Sequence, residues 1–277
     1  MRKTILTLTI LCTMAVPVGA WAQAGDSCSV EGARGDTIPP PAVVQAPASL
    51  PKALSPYALP YSFKGNSYDW HRLNINTLVL SSAFVGTLLV LECLSEDATS
   101  WNRAELQDVP LGKRWHDHVI RQGPEWDHDK FYFNYLLHPY AGAAYFMAAR
   151  SCGFNFWKSA FYCSLISNVG WEYGIEAFME RPSIQDMLVT PIVGSCLGEG
   201  FYRLKRKLVD NGYELFHSTF WGSVAAFFLD PVNEFTGLFL GNPARTLARQ
   251  RATTRPTPTL VPVIRHHYRG LALINSF

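Results

Sequence analysis

The sequence predicts a mainly α protein, a compact apolar helical bundle associated with a membrane, and three observations carry that reading. Four stretches of helical length, 131–152, 154–179, 183–208 and 214–229, are dense in apolar side chains. Charged residues make up 17% of the chain against an average near ~25%, while aromatic residues reach 13%, a shift toward lipid or toward a large core. The chain also opens like an exported one. Arg2 and Lys3 precede an uncharged stretch over 4–18, and Ala20-Trp21-Ala22 supplies the small residues of a cleavage site after Ala22.

A signal peptide over 1–22 is therefore expected. Its apolar run is shorter than the ~20 residues of a membrane span, and Cys12 follows the bulky Leu11, so no lipoprotein cysteine fits. From 23 to 62 the chain carries Pro39, Pro40, Pro41, Pro47, Pro51, Pro56 and Pro60 without an apolar period, which predicts a disordered, extended linker. A helical domain is expected over 69–242, followed by an irregular tail over 243–277.

Within the domain, 76–91 is the most apolar stretch, short for a span and equally readable as a tilted segment or a core helix. The polar part over 95–130 reads as an amphipathic surface layer broken at Pro110 and Pro124. Ser183 opens the third long helix with Asp186 three residues later, an N-cap with a carboxylate in the first turn. Gly153 and Gly212 end helices, and Gly194 with Gly198 permit two helices to approach closely. Arg203, Lys205, Arg206 and Lys207 follow an apolar segment, as a headgroup-facing cluster or a solvated helix end would. A short piece runs from Asp230-Pro231 to Leu240, and 260–277 has the pattern of one strand.

The formal net charge of +2 gives no basic excess for nucleic acid. Removal of the leader leaves Cys28, Cys93, Cys152, Cys163 and Cys196, an odd number in an export compartment, so at least one stays free or pairs with another chain. Three of these lie in apolar helical stretches, which favours buried thiols over a disulfide framework.

Polar groups inside apolar helices need a partner, a cavity or a task. Asn134 and His138 stand four apart on one helical face, with Asp127 and Asp129 just upstream, so an imidazole and a carboxylate can share one polar pocket. Glu172 and Glu176 are also four apart, and their repulsion calls for a cation, a shared proton, or a partner such as Arg150 or Arg181. No Glu-x-x-His pair occurs and no cysteine pair has zinc-ligand spacing, so no metal is expected. The elements G-x-S-x-G and H-E-x-x-H are absent, so neither a serine-hydrolase elbow nor that zinc motif is present.

The combination of Asn134, His138-Pro139, Arg150, Trp171-Glu172, Pro182-Ser183, Asp186, Thr190-Pro191, Gly194 and Gly198-Glu199, followed by Asp230-Pro231 and Asn233, resembles the bacterial domain-of-unknown-function family 3943 over about 127–242. The resemblance implies an exported or envelope location, a compact helical domain and no established activity. It singles out Asn134, His138, Arg150, Glu172, Ser183, Asp186, Thr190 and Glu199 as the family's polar positions.

The expected role is that of an accessory or structural protein of the cell envelope, periplasmic and held at a membrane. Its partner would be membrane lipid, its cofactor is unspecified, and Asp129, Asn134, Arg150, Ser183, Asp186 and Thr190 would form a buried polar network. One alternative is an enzyme acting on a lipid or lipid-linked substrate, with His138 as acid or base and Glu172 or Glu199 as its carboxylate. A second is a multi-span inner-membrane protein.

Overall fold

The computed structural model describes residues 55–65, 68–93, 109–126, 130–253, 258–265 and 268–275. The expected signal peptide, most of the expected linker, Cys28, Asp127 and Asp129 lie outside the described residues. Among the described residues the chain forms eight α-helices and one two-stranded sheet.

Helix α1 runs Trp70–Cys93. It starts earlier than the apolar run because the Asp69 carboxylate accepts the Arg72 N–H at 2.9 Å and caps it. Helix α2, Leu111–His116, passes into a π-helical stretch over Asp117–Gln122. A π-helical segment, Phe133–Leu137, then leads into α3, His138–Arg150. Helix α4, Phe156–Ser164, is capped by Asn155, whose side chain accepts the Lys158 N–H at 2.7 Å. It continues as a π-helix over Leu165–Ile175 and tightens into a 3-10 turn, Glu176–Phe178.

Helix α5, Ile184–Asp210, is the longest, and Ser183 caps it as the sequence predicts, accepting the Asp186 N–H at 3.1 Å. Helices α6, Thr219–Leu229, and α7, Pro231–Leu240, follow, the latter capped by Asp230 with Pro231 at its first position. Gly153 and Gly212 sit at φ 91° and 71°, the left-handed backbone that closes α3 and α5.

The tail corrects the expectation of an irregular segment. Pro243–Thr253 forms α8, whose first amides at Ala244 and Arg245 donate to the Asn242 side chain at 3.0 and 3.2 Å. In place of one strand, β1, Pro258–Arg265, and β2, Tyr268–Asn275, pair as an antiparallel hairpin in the register Pro258↔Asn275 to Arg265↔Tyr268. Residues 55–62, read from sequence as linker, are packed as well. Tyr57 is buried in the main apolar cluster, its hydroxyl is 2.7 Å from Ser151 Oγ, and Arg206 donates to the Pro56 carbonyl at 3.0 Å.

Helix α3 is the hub, with every residue from Gly142 to Arg150 buried. It lies against α5 at glycine distance: a Cβ on Gly194 would sit 2.6 Å from Gly142 Cα, and one on Gly198 would sit 2.7 Å from Phe146 Cδ1. The close approach read from Gly194 and Gly198 is thus made, and its partner is Gly142. One apolar cluster joins Met147 of α3 to Phe201 and Val209 of α5 and Ala226 of α6, and a second joins Phe146 to Leu80, Phe84 and Cys163. Cys152 and Cys163 are buried thiols, and burial pushes Cys163 up to about 12; Cys93 and Cys196 are exposed.

Beside this apolar core the described residues carry many exposed large apolar side chains and several buried charges. Ile184, Leu188, Ile192, Val193 and Leu197 form an exposed stripe along α5, and Trp157, Phe220 and Phe239 stand outward at 78%, 65% and 74% exposure. Arg150, Lys205 and Asp230 are inside at 2%, 1% and 0%. Among the described residues one helix, α1, is long and apolar enough to cross a membrane, over Trp70–Val90.

The α3–α5 contact predicts opposite effects at two nearby glycines. Gly194→Ala meets backbone on the facing helix and should cost about 1–3 kcal/mol. Gly200→Ala meets nothing within 4 Å and should be neutral or stabilising by about 0.5–1 kcal/mol, as expected for alanine in a helix interior. Thermal unfolding of the two variants checks this, and equal melting temperatures would dismiss the contact.

Candidate functional site

The interior charges fall into three groups, set by which helices meet. In the first, Arg150 at the end of α3 faces Glu199 on α5, its Nε 2.9 Å from Oε2 and its Nη2 3.3 Å from Oε1. The remaining guanidinium hydrogens go to the Phe154 carbonyl at 2.9 Å and the Ser62 carbonyl at 2.7 Å, and the group stacks 4.2 Å from the Tyr202 ring. Tyr61 donates to Glu199 Oε1 at 2.7 Å. Glu199, a candidate catalytic carboxylate by sequence, is therefore committed to Arg150 and Tyr61 rather than to His138. Arg150 in turn serves neither Glu172 nor Glu176, and Arg181 pairs with Glu125.

The second group was largely invisible in the sequence. Lys205 of α5 is 2.8 Å from Asp230 Oδ2 and 2.8 Å from Glu234 Oε1 on α7, and Arg245 of α8 reaches Glu234 Oε2 at 2.9 Å. Ser151 donates to Asp230 Oδ2 at 2.5 Å. Asn233 accepts from Arg72 Nε at 3.1 Å and Asn76 Nδ2 at 2.9 Å, and donates to the Met147 carbonyl at 3.0 Å. Thr236 closes the ring through Asn76 Oδ1 at 2.8 Å. Burial opposes the Lys205 charge, yet Asp230, Tyr57 and Glu234 outweigh it and hold the ammonium well above its ordinary value. Lys205 is thus an interior residue, whereas its neighbours Arg203 and Lys207 are exposed. Asp230 and Asn233, three apart, were the sequence signal for this group; Arg72, Asn76 and Glu234 were not singled out, and Lys205 read as one of a basic cluster.

The third group brings most of the predicted site together. His138 opens α3, and its Nδ1 is 3.0 Å from Thr190 Oγ1 and 3.7 Å from Asp186 Oδ1, both on α5. Glu172 lies on the π-helix after α4, and its Oε2 accepts the Ser183 N–H at 3.0 Å, which ties the π-helix to the start of α5. Donor atoms of His138, Glu172 and Asp186 all lie within 4.8 Å of one another. Asn134, buried at 1% exposure, precedes His138 on the π-helical segment.

His138 directly follows one π-helical segment and Glu172 lies on another, a departure from α geometry frequent at functional sites and shared here by Asp117–Gln122. Glu176, at the following 3-10 turn, is buried too; burial first, then the charges of Glu172, Glu180 and Asp186, push its carboxyl well above the usual range. The sequence named Asp186 as a first-turn residue and as part of a buried polar network with Asn134 and Thr190, but not as the carboxylate beside His138.

A groove of about 340 Å³ lies elsewhere, against α6 and α7, lined by Phe220, Val224, Phe227 and Leu238 with Glu234 and Arg245. Neither His138 nor Glu172 lines it.

Residues 123–232 match the model of a family described as a domain of unknown function (DUF3943), and this segment is a domain of that family. No curated protein and no solved structure matches the chain. The matched segment holds the His138 group, Arg150, Glu199, Lys205 and Asp230; Asn233 and Glu234 follow directly after it.

Two outcomes follow for the Lys205 group. Lys205→Met leaves the buried Asp230 without its cation, Glu234 keeping Arg245, and should lower stability by about 3–5 kcal/mol, whereas Lys207→Met at an exposed position should stay within about 0.5 kcal/mol. Denaturant unfolding separates them, and similar midpoints would refute the network's weight. The second outcome concerns pH. Burial raises the Glu234 carboxyl, but Lys205 and Arg245 hold it down at about 2. Its folded value lies below the unfolded value of about 4.3, so its contribution is complete above that pH and is lost as pH falls toward 2. Glu234→Gln should flatten the acid limb of a melting-temperature profile; an unaltered limb would dismiss the assignment.

Proposed function

We propose that this chain is an exported, membrane-associated helical protein of the cell envelope with an accessory or structural role. The observation that carries the reading is the number of large apolar side chains left exposed around a core that also encloses paired charges. Exposed Leu, Ile, Phe and Trp cover α4, α5, α6 and α7, while Arg72, Arg150, Lys205, Glu199, Asp230 and Glu234 are buried. Soluble monomers rarely expose contiguous apolar patches beyond a few hundred Å², and larger ones mark contact with lipid or with another protein. In lipid the same arrangement is favourable, since charges pair inside and apolar side chains meet acyl chains.

The charges left at the surface fit this placement. Arg203 and Lys207 stand outward near the end of α5, beyond the uncharged stripe over 184–197. Cations at that position match a headgroup layer. The leader over 1–22 supports export, and the bundle's saturated ion-pair networks support a structural role. The enzyme reading keeps the pairing of His138 with Glu172 but loses Glu199, and the apolar groove lies against other residues. The multi-span reading has one helix of sufficient length and apolarity among the described residues.

The test is fractionation of cells expressing the full chain. The mature protein should begin at Gln23 by intact mass, stay with membranes through an alkaline carbonate wash, and float with them on a density gradient. The double variant Leu188→Glu, Ile192→Glu places charges on the α5 stripe and should shift protein toward the wash. Recovery of the unaltered chain as a monodisperse species in the aqueous fraction would overturn the reading.

A further inference from the structure

We propose that His138, Glu172 and Asp186 form a binding site for one divalent transition-metal cation, zinc being the best match to the donor set. One imidazole nitrogen and two carboxylate oxygens lie within 4.8 Å of one another, and His138 Nδ1 is already 3.7 Å from Asp186 Oδ1. Donors bound to zinc at about 2.0–2.2 Å in tetrahedral geometry stand roughly 3.4 Å apart, so contraction by side-chain rotation suffices. A mixed nitrogen and oxygen set suits zinc over calcium or magnesium, which prefer oxygen alone.

The donors come from three elements that the fold holds fixed. His138 begins the buried helix α3, Asp186 sits in the first turn of α5, and Glu172 rides on the π-helix. Each carboxylate is buried, at 1% exposure for Glu172 and 3% for Asp186. Glu172 is oriented by the Ser183 amide on its Oε2, whereas Thr190 Oγ1 lies 3.0 Å from His138 Nδ1 itself and has to give up that contact when the nitrogen takes the cation. Hydrogen bonds like that from the Ser183 amide hold ligands in place around metals.

Three protein donors leave one tetrahedral position for water or for an exogenous ligand. Binding requires the neutral imidazole, so it weakens as pH falls below the ordinary histidine range near ~6.5.

The proposal is separate from membrane association and is read on the purified full chain in detergent, stripped with chelator and titrated with zinc sulfate by calorimetry. One saturable site per chain is expected, with a rise in melting temperature on zinc addition. His138→Ala, Glu172→Gln and Asp186→Asn should each weaken affinity at least tenfold, while His217→Ala at an exposed turn should leave it unchanged. Glu172→Gln retains an acceptor for the Ser183 amide and Asp186→Asn is nearly isosteric, so these two report on the site even where His138→Ala fails to fold. Absence of saturable binding, or unaltered affinity in both carboxamide variants, would overturn the proposal.

Discussion

Lys205 reaches Asp230 and Glu234 from the middle of the bundle, and its ammonium is met there by two carboxylates. An ammonium buried to that depth is tolerated only when its partners are in place, because removing either one leaves a charge in a medium that cannot solvate it. The same carboxylate of Asp230 takes the Ser151 hydroxyl, and Asn233 beside it reads the Met147 carbonyl and the side chains of Arg72 and Asn76. Helices α1, α3, α5 and α7 are thereby fixed by directional contacts at one point. Such contacts specify orientation more than they add net stability. These polar groups share the interior with Phe146, Met147 and Tyr202, while other large apolar side chains such as Trp157 and Phe239 stand outside.

Two of the charge groups close on themselves in different ways from the third. Arg150 and Glu199 satisfy each other and borrow Tyr61, Ser62 and Phe154, and that geometry leaves a rigid strut between α3 and α5. Around His138 the backbone itself is altered on two sides, by the π-helical segments over Phe133–Leu137 and Leu165–Ile175. A strut needs no such departure from α geometry. What sets the His138 group apart from the strut is its mixed set of nitrogen and oxygen donors beside two π-helical segments.

Much of this arrangement was legible in the sequence. The long helices follow from apolar density, Ser183 and Asp186 mark the start of α5, Gly153 and Gly212 mark helix ends, and Gly194 with Gly198 mark the tight contact. What escaped has physical causes. The reading of Lys205 as a surface cation rested on its basic neighbours, and only its helical phase separates it from Arg203 and Lys207. Glu172 and Glu176 were placed on one face by α periodicity, whereas the chain between them leaves a π-helix for a 3-10 turn. Asp186 had a sufficient local explanation as a first-turn carboxylate, which concealed its second neighbour. Tyr57 and Tyr61 belong to a proline-rich stretch whose composition says nothing of its docking onto α5.

The partners in the Lys205 group are far apart along the chain, with Arg72 bonded to Asn233 across 161 positions. A ribosome delivers α1 long before α7, and until the later helix arrives Arg72 and Asn76 lack hydrogen-bond partners and Lys205 lacks the carboxylates that neutralise it. Partial assemblies of α1, α3 and α5 therefore carry uncompensated charge among apolar faces, and gain little by docking early. Acquisition of the native state is thus coupled to completion of the chain, and the last helices act as the latch for the first.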